Sequence, residues 1–150
     1  MHKIILSKPA FYVLSFTWGL PMTLIGCLAS LVLLVAGYKP KRNQYAWYFE
    51  IGENWGGCDL GCMSLIQKPT TTYLQNHLKN HEFGHAIQNC WFGPFMIVVS
   101  IWSAARYWYR EYLTRCRKKS YDDLPSYDAI WFEGQASYLG VLYEARHYFK

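Results

Sequence analysis

Between Ala10 and Tyr38 the sequence carries no charged side chain, a gap of 29 residues in a chain of 150. Acidic residues are scarce overall, ten Asp and Glu against fifteen Lys and Arg. There is no CxxC pair, and the five cysteines, Cys27, Cys58, Cys62, Cys90 and Cys116, are odd in number. On a common strand Cys58 and Cys62 would lie about 13 Å apart, too far to bridge. The cysteines therefore read as small packing residues, not as a disulfide framework. Internal repeats and low-complexity tracts are also absent, which leaves one compact domain, or one domain plus an anchor.

What the chain has in excess is apolar and aromatic surface: 52% hydrophobic and 19% aromatic residues against 17% charged. The uncharged run would be about 43 Å long as one straight helix, more than a bilayer core needs. Gly19 and Pro21 predict a kink, with Leu20 to Gly37 as the spanning part. A cleaved signal peptide is the competing reading. The run exceeds the usual signal core and no A-x-A site follows it, which favours a retained anchor. Late in the chain Arg106, Arg110, Arg115, Arg117, Lys118 and Lys119 alternate with Tyr107, Trp108, Tyr109 and Tyr112. Beside an apolar segment that mixture predicts contact with a lipid bilayer, and nucleic acid is not expected as a partner.

After the anchor, KPKRNQ (39–44) reads as a polar turn. YAWYFEI and CDLGCMSLI read as two strands of a β-hairpin joined by GENWGG. The Thr70–Thr72 cluster supplies an N-cap for a helix running to about Trp91. Gly93-Pro94 breaks it, a second apolar helix covers roughly 95–115, and a last helix follows from about Ala129 to Tyr148.

The first of these helices carries NHEFGHAIQ, residues 80–88. Residues four apart lie about 40° apart around a helix and one turn along it, so His81 and His85 can ligate one ion from a single face. Glu82 is turned aside by one residue and can act on a water without occupying the metal. Gly84, unfavourable by about 1 kcal/mol in mid-helix, predicts close approach of another backbone. A hydrolytic zinc also needs a third ligand. His77 continues the stripe but lies a further turn away, about 6 Å along the axis, and reads instead as helix surface or substrate contact. Cys58 or Cys62 is a weaker candidate still. Glu133 is the best one, because Ala136, Ser137 and Gly140 make its helix face small enough to pack closely on another helix.

His81-Glu82-x-x-His85 followed some 50 residues later by E-G-Q-A-S resembles the gluzincin branch of the zincin metallopeptidases. The glycine-bearing strand, Gly93-Pro94 and E-x-x-A-x-x-L-G also resemble a group of small bacterial membrane zincins. The resemblance implies His81, His85 and Glu133 as ligands of one Zn2+, with Glu82 as general base. It also implies that Cys58, Asp59, Leu60, Gly61 and Cys62 form a strand that pairs with an extended peptide or protein substrate. One departure stands out. Ser137 occupies a position where such proteins carry an acidic partner for a ligand histidine, and serine fills that role weakly. Tyr138, Tyr127 and His147 are the candidate oxyanion donors.

The sequence thus predicts an α+β membrane protein. Residues 1–42 are an N-terminal transmembrane anchor and 43–150 a zincin-like domain of β-hairpin, active-site helix, shallow apolar helix and C-terminal glutamate helix. It is expected in the cell membrane, with its active site near the interface on the cytoplasmic side. The expected activity is zinc-dependent peptide hydrolysis, and the alternative is a zinc-binding membrane scaffold without turnover.

Overall fold

The computed structural model describes residues 5–148. In chain order they form α1 (Lys8–Ser15), α2 (Leu20–Val35), β1 (Lys41–Asn43), β2 (Ala46–Glu50), β3 (Gly57–Leu60) and β4 (Met63–Ile66). Then come α3 (Thr72–Phe92), α4 (Met96–Arg115) and α5 (Trp131–Tyr148). The architecture is a small mixed one, helices around a four-stranded sheet ordered β1-β2-β4-β3.

The expected transmembrane helix is not formed. Its sequence is divided between α1 and α2, which meet at 90°. α2 has sixteen residues, about 24 Å, short of the roughly 30 Å of a hydrocarbon core. Among the described residues no single helix is long and apolar enough to cross a membrane, so the expected single-span anchor, and the cell-membrane placement that rested on it, are not supported. The corner has a specific cause. Asn89 of α3 donates its amide to Gly19 O (3.2 Å) and Thr23 Oγ1 (3.3 Å), and Trp18 Nε1 donates to Trp91 O (3.2 Å). A Cβ on Gly19 would stand 2.4 Å from Asn89 Nδ2, so the bend needs this glycine. α2 turns Thr23, Gly26 and Ser30 inward and leaves Leu24, Leu28, Leu31 and Val32 exposed. Small residues are required on the inner face, because a Cβ at Gly26 would meet Leu60 O at 2.2 Å.

The expected hairpin of two long strands is also replaced. KPKRNQ is not merely a turn, since Lys41–Asn43 pairs antiparallel with β2. CDLGCMSLI breaks at Gly61 (φ +81°) into a hairpin of its own, β3 against β4. β2 then lies parallel to β4, with Trp47 opposite Met63 and Glu50 opposite Ile66. The connecting loop can swing wide because Gly52, Asn54 and Gly56 all adopt positive φ. Gln67 Oε1 fixes it, accepting from the N–H groups of Trp55 and Gly56. β3 is left on the sheet edge.

α3 starts at Thr71, whose hydroxyl accepts from Leu74 N (3.1 Å). From Glu82 to Cys90 every residue is buried, so this helix is the axis of the molecule. Phe83 packs edge-on to Tyr143 of α5 (5.3 Å between ring centres) and, at 6.1 Å, beside Phe11 of α1. α5 crosses α3 at two glycines. A Cβ on Gly84 would fall 1.9 Å from Ala136 O, and one on Gly140 would fall 2.1 Å from Asn80 O. α4 is one continuous helix over the segment expected to be apolar and helical. Arg106 donates to the carbonyls of Ser126 (2.8 Å) and Tyr127 (3.3 Å), and Arg110 to that of Pro125, so two residues of the basic cluster bind the chain's own loop.

The crossing makes a signed prediction. In an unpacked helix Gly→Ala adds about 1 kcal/mol of stability. Gly84→Ala should instead destabilise the protein by about 2–3 kcal/mol, because the backbone of α5 blocks the methyl group. Thermal melts should show a fall of several degrees; a rise would contradict the helix crossing.

Candidate metal centre

The crossing brings Glu133, at the start of α5, onto the face of α3 that carries both histidines. His81 Nε2 and His85 Nε2 lie 3.1 and 3.2 Å from Glu133 Oε2, and 3.2 Å from each other. Glu133 and His85 are buried, and the His81 side chain is 11% exposed. Together the three could hold a metal ion.

Hydrogen bonding fixes which nitrogen of each ring faces the cluster. Gln88 Nε2 donates to Phe132 O (2.7 Å) and Gln135 Oε1 (2.9 Å), so its Oε1 is the atom 2.8 Å from His85 Nδ1. His85 must donate there, leaving a lone pair on Nε2. The same logic holds on His81. Ser137 gives its only hydroxyl proton to Asp128 Oδ2 (3.1 Å), so at its 2.8 Å contact with His81 Nδ1 it can only accept. Two imidazole lone pairs and one carboxylate oxygen therefore converge. Bonds of about 2.0 Å at tetrahedral angles separate ligand atoms by about 3.3 Å, close to the spacing here. The residues fit a metal.

Ser103 of α4 donates to Glu133 Oε1, so that only Oε2 points into the cluster. Burial opposes the charge on Glu133, but its contacts with His81 and His85 and the Ser103 hydroxyl outweigh it and hold the carboxyl well below its usual range. Burial likewise opposes charge on His85. The Glu133 hydrogen bond and the carboxylates of Glu82, Glu133 and Asp59 prevail and raise it to about 9.

The cluster opens into a cleft of about 670 Å³ between α3, α4, β3 and the loop before α5. Glu82 lines it, 4% exposed, with its carboxylate against the backbone of Gly57, where a Cβ would come within 2.4 Å of Oε1. Burial, with Glu133 adding to it and the two histidines opposing, raises the Glu82 carboxyl above the ordinary value.

The other expected residues divide. His77 lines the cleft, its ring stacked 6.3 Å from that of His81, outside the donor cluster. Of the presumed substrate strand, Cys58 and Asp59 border the cleft. Gly61 packs instead on Thr23, and Cys62 is buried in the core. All five cysteines are free. Tyr127 lines the cleft with its ring centre 6.5 Å from that of His81, whereas Tyr138 is half exposed and outside it. The His147 side chain lies outside the described residues. Asp128 and Ser103 were not anticipated. Ser137, a hydroxyl expected beside a candidate ligand, was the one sequence signal for Asp128. Ser103 gave none.

If Glu133 is a ligand, Glu133→Gln should weaken divalent-metal binding at least a hundredfold, because two imidazoles seldom hold such an ion alone. Glu144→Gln, further along α5, should change little. Equilibrium metal titration of both variants checks this, and the reverse pattern would move the third ligand along α5.

Comparison of the chain with family models, with curated proteins and with solved structures gives no match, so the functional reading is built on the geometry of this site.

Proposed function

We propose that the protein is a zinc-dependent peptidase of the zincin type, in which His81, His85 and Glu133 hold the ion and Glu82 is the general base. The observation that carries this reading is the position of Glu82. It follows a ligand histidine on α3 and is buried in the same cleft, yet it belongs to none of the three donor contacts. Two imidazoles and one carboxylate at tetrahedral spacing suit zinc, with a fourth position left open. When bound, zinc acidifies a water molecule and polarises a carbonyl.

The chain's own groups supply the rest. Glu82 accepts a proton from the attacking water and returns it to the departing amine. Its raised carboxyl pKa brings it nearer the pH at which both transfers work. The Tyr127 phenol is kept protonated, chiefly by burial and then by the charges of Glu133 and Glu82, and suits a hydrogen bond to the oxygen that gains charge. β3 is an edge strand, and Leu60 and Met63 close its two-residue turn. Alternation along an antiparallel pair then turns the N–H and C=O of Gly57 and Asp59 away from β4, towards an added strand. That favours an extended peptide as substrate. A scaffold without turnover was favoured by the weak acceptor Ser137 and by the lack of an identified oxyanion donor; Asp128 behind Ser137 and Tyr127 in the cleft support turnover against it.

Glu82→Gln should retain zinc while lowering cleavage of a quenched-fluorescent mixed-sequence peptide library by about 10²–10⁴-fold. Undiminished cleavage would remove Glu82 as the base. No cleavage by the zinc-loaded unaltered chain would return the reading to the scaffold. Tyr127→Phe should lower kcat by roughly a hundredfold with little change in KM, as expected for a donor that acts on developing charge.

A further inference from the structure

We propose that Asp128 is a positioning residue for the metal, acting on His81 through the hydroxyl of Ser137. The inference rests on His81 being a ligand. A metal-binding histidine is oriented, and made more basic, by an acceptor on its other ring nitrogen, usually a carboxylate or carbonyl. Ser137 lies 2.8 Å from His81 Nδ1. A hydroxyl alone is a poor acceptor for this purpose, since it can rotate and donate instead, favouring the wrong tautomer. Asp128 Oδ2, 3.1 Å from Ser137 Oγ, prevents that by taking the hydroxyl proton. The chain His81 Nδ1–H to Ser137 Oγ–H to Asp128 carboxylate then runs in one direction only. Each hydrogen bond polarises the next, so carboxylate character reaches the imidazole at second hand.

The backbone carrying Asp128 is held from several sides. Arg106 grips the carbonyls of Ser126 and Tyr127, and Ala129 N donates to Ser126 O (3.0 Å). The carbonyl of Asp128 packs on Gly134, where a Cβ would stand at 2.8 Å. Asp128 is therefore fixed over the start of α5 although its side chain is exposed. His85 has a parallel device, since Gln88 is locked by two acceptors so that its oxygen must face the ring. Both ligands thus reach a correct tautomer through a partner that is itself held.

The test is zinc affinity of the full chain, measured by competition with a chromophoric chelator. Asp128→Ala and Ser137→Ala should each weaken zinc binding by about tenfold. Asp123→Ala, which removes the same charge from the same loop, should leave it unchanged. Ser137→Asp in the Asp128→Ala background should restore affinity, since it puts a carboxylate directly on His81, and a loop-folding role for Asp128 could not be rescued in this way. The His81 Nδ1–H proton of the zinc-loaded protein should move upfield in Asp128→Ala. Zinc binding that Asp128→Ala leaves equal to Asp123→Ala, or a loss that Ser137→Asp does not repair in a folded protein, overturns the relay alone. An unaltered chain that binds no zinc overturns the metal reading and the relay with it.

Discussion

Three electron pairs aimed at one point are the constraint around which this structure is organised. His81 Nε2, His85 Nε2 and Glu133 Oε2 stand 3.1–3.2 Å apart, and the bonds behind each histidine leave a lone pair facing inward. A single proton can satisfy only one pair of such acceptors at a time, whereas one cation satisfies all three. Burial opposes positive charge on His85, but the surrounding carboxyls outweigh it and raise its basicity, so this point favours a cation. Glu82, Glu133 and Asp59 place three carboxyls around this point in buried surroundings. Burial pushes the Asp59 and Glu82 carboxyls above their ordinary range while Glu133 is held below it, and a divalent ion is a compact partner for that buried charge.

Bringing those donors together requires α3 and α5 to touch along their backbones. Gly84 and Gly140 are the two places where a side chain would prevent it. Gly84 lies inside the histidine motif, so one stretch of helix supplies two of the three converging donors, the cleft glutamate and the packing notch. The unfavourable helix propensity of glycine is offset because close approach also buries Phe83 against Tyr143 and Ala136 against α3. Gly57 does the same on the other side of the cleft, admitting the Glu82 carboxylate against the strand edge.

What could be read from the sequence follows from how local each feature is. The histidine pair, the off-axis glutamate and the Thr71 cap are consequences of helix geometry within a dozen residues, so pattern and periodicity reach them. Glu133 was reachable because its helix face is small and because the motif resembles that of a known family. The sheet was not. An apolar run that breaks at Gly61, and a loop with three left-handed residues, give β2 a parallel partner that depends on tertiary pairing and not on the adjacent turn. The α1–α2 corner was half visible. Gly19 and Pro21 mark a kink, but the amide that turns it through 90° belongs to Asn89, seventy residues away. Uncharged length alone suggested a span; the partner that breaks it is not a local property.

Asp128 illustrates the same limit from the functional side. It is an exposed acid in a loop, with no periodic neighbour to mark it, and its significance comes entirely from what Ser137 lacks. A carboxylate at position 137 would meet His81 directly; a hydroxyl there needs a second acceptor, and the loop before α5 provides one. That loop is held by Arg106 from α4, and α4 also sends Ser103 to the free oxygen of Glu133. The wall of the cleft and the donor cluster are therefore mechanically joined. A displacement of α4 would loosen Glu133 and the backbone of Asp128 together, so cleft shape and ligand geometry are not independent properties of this fold.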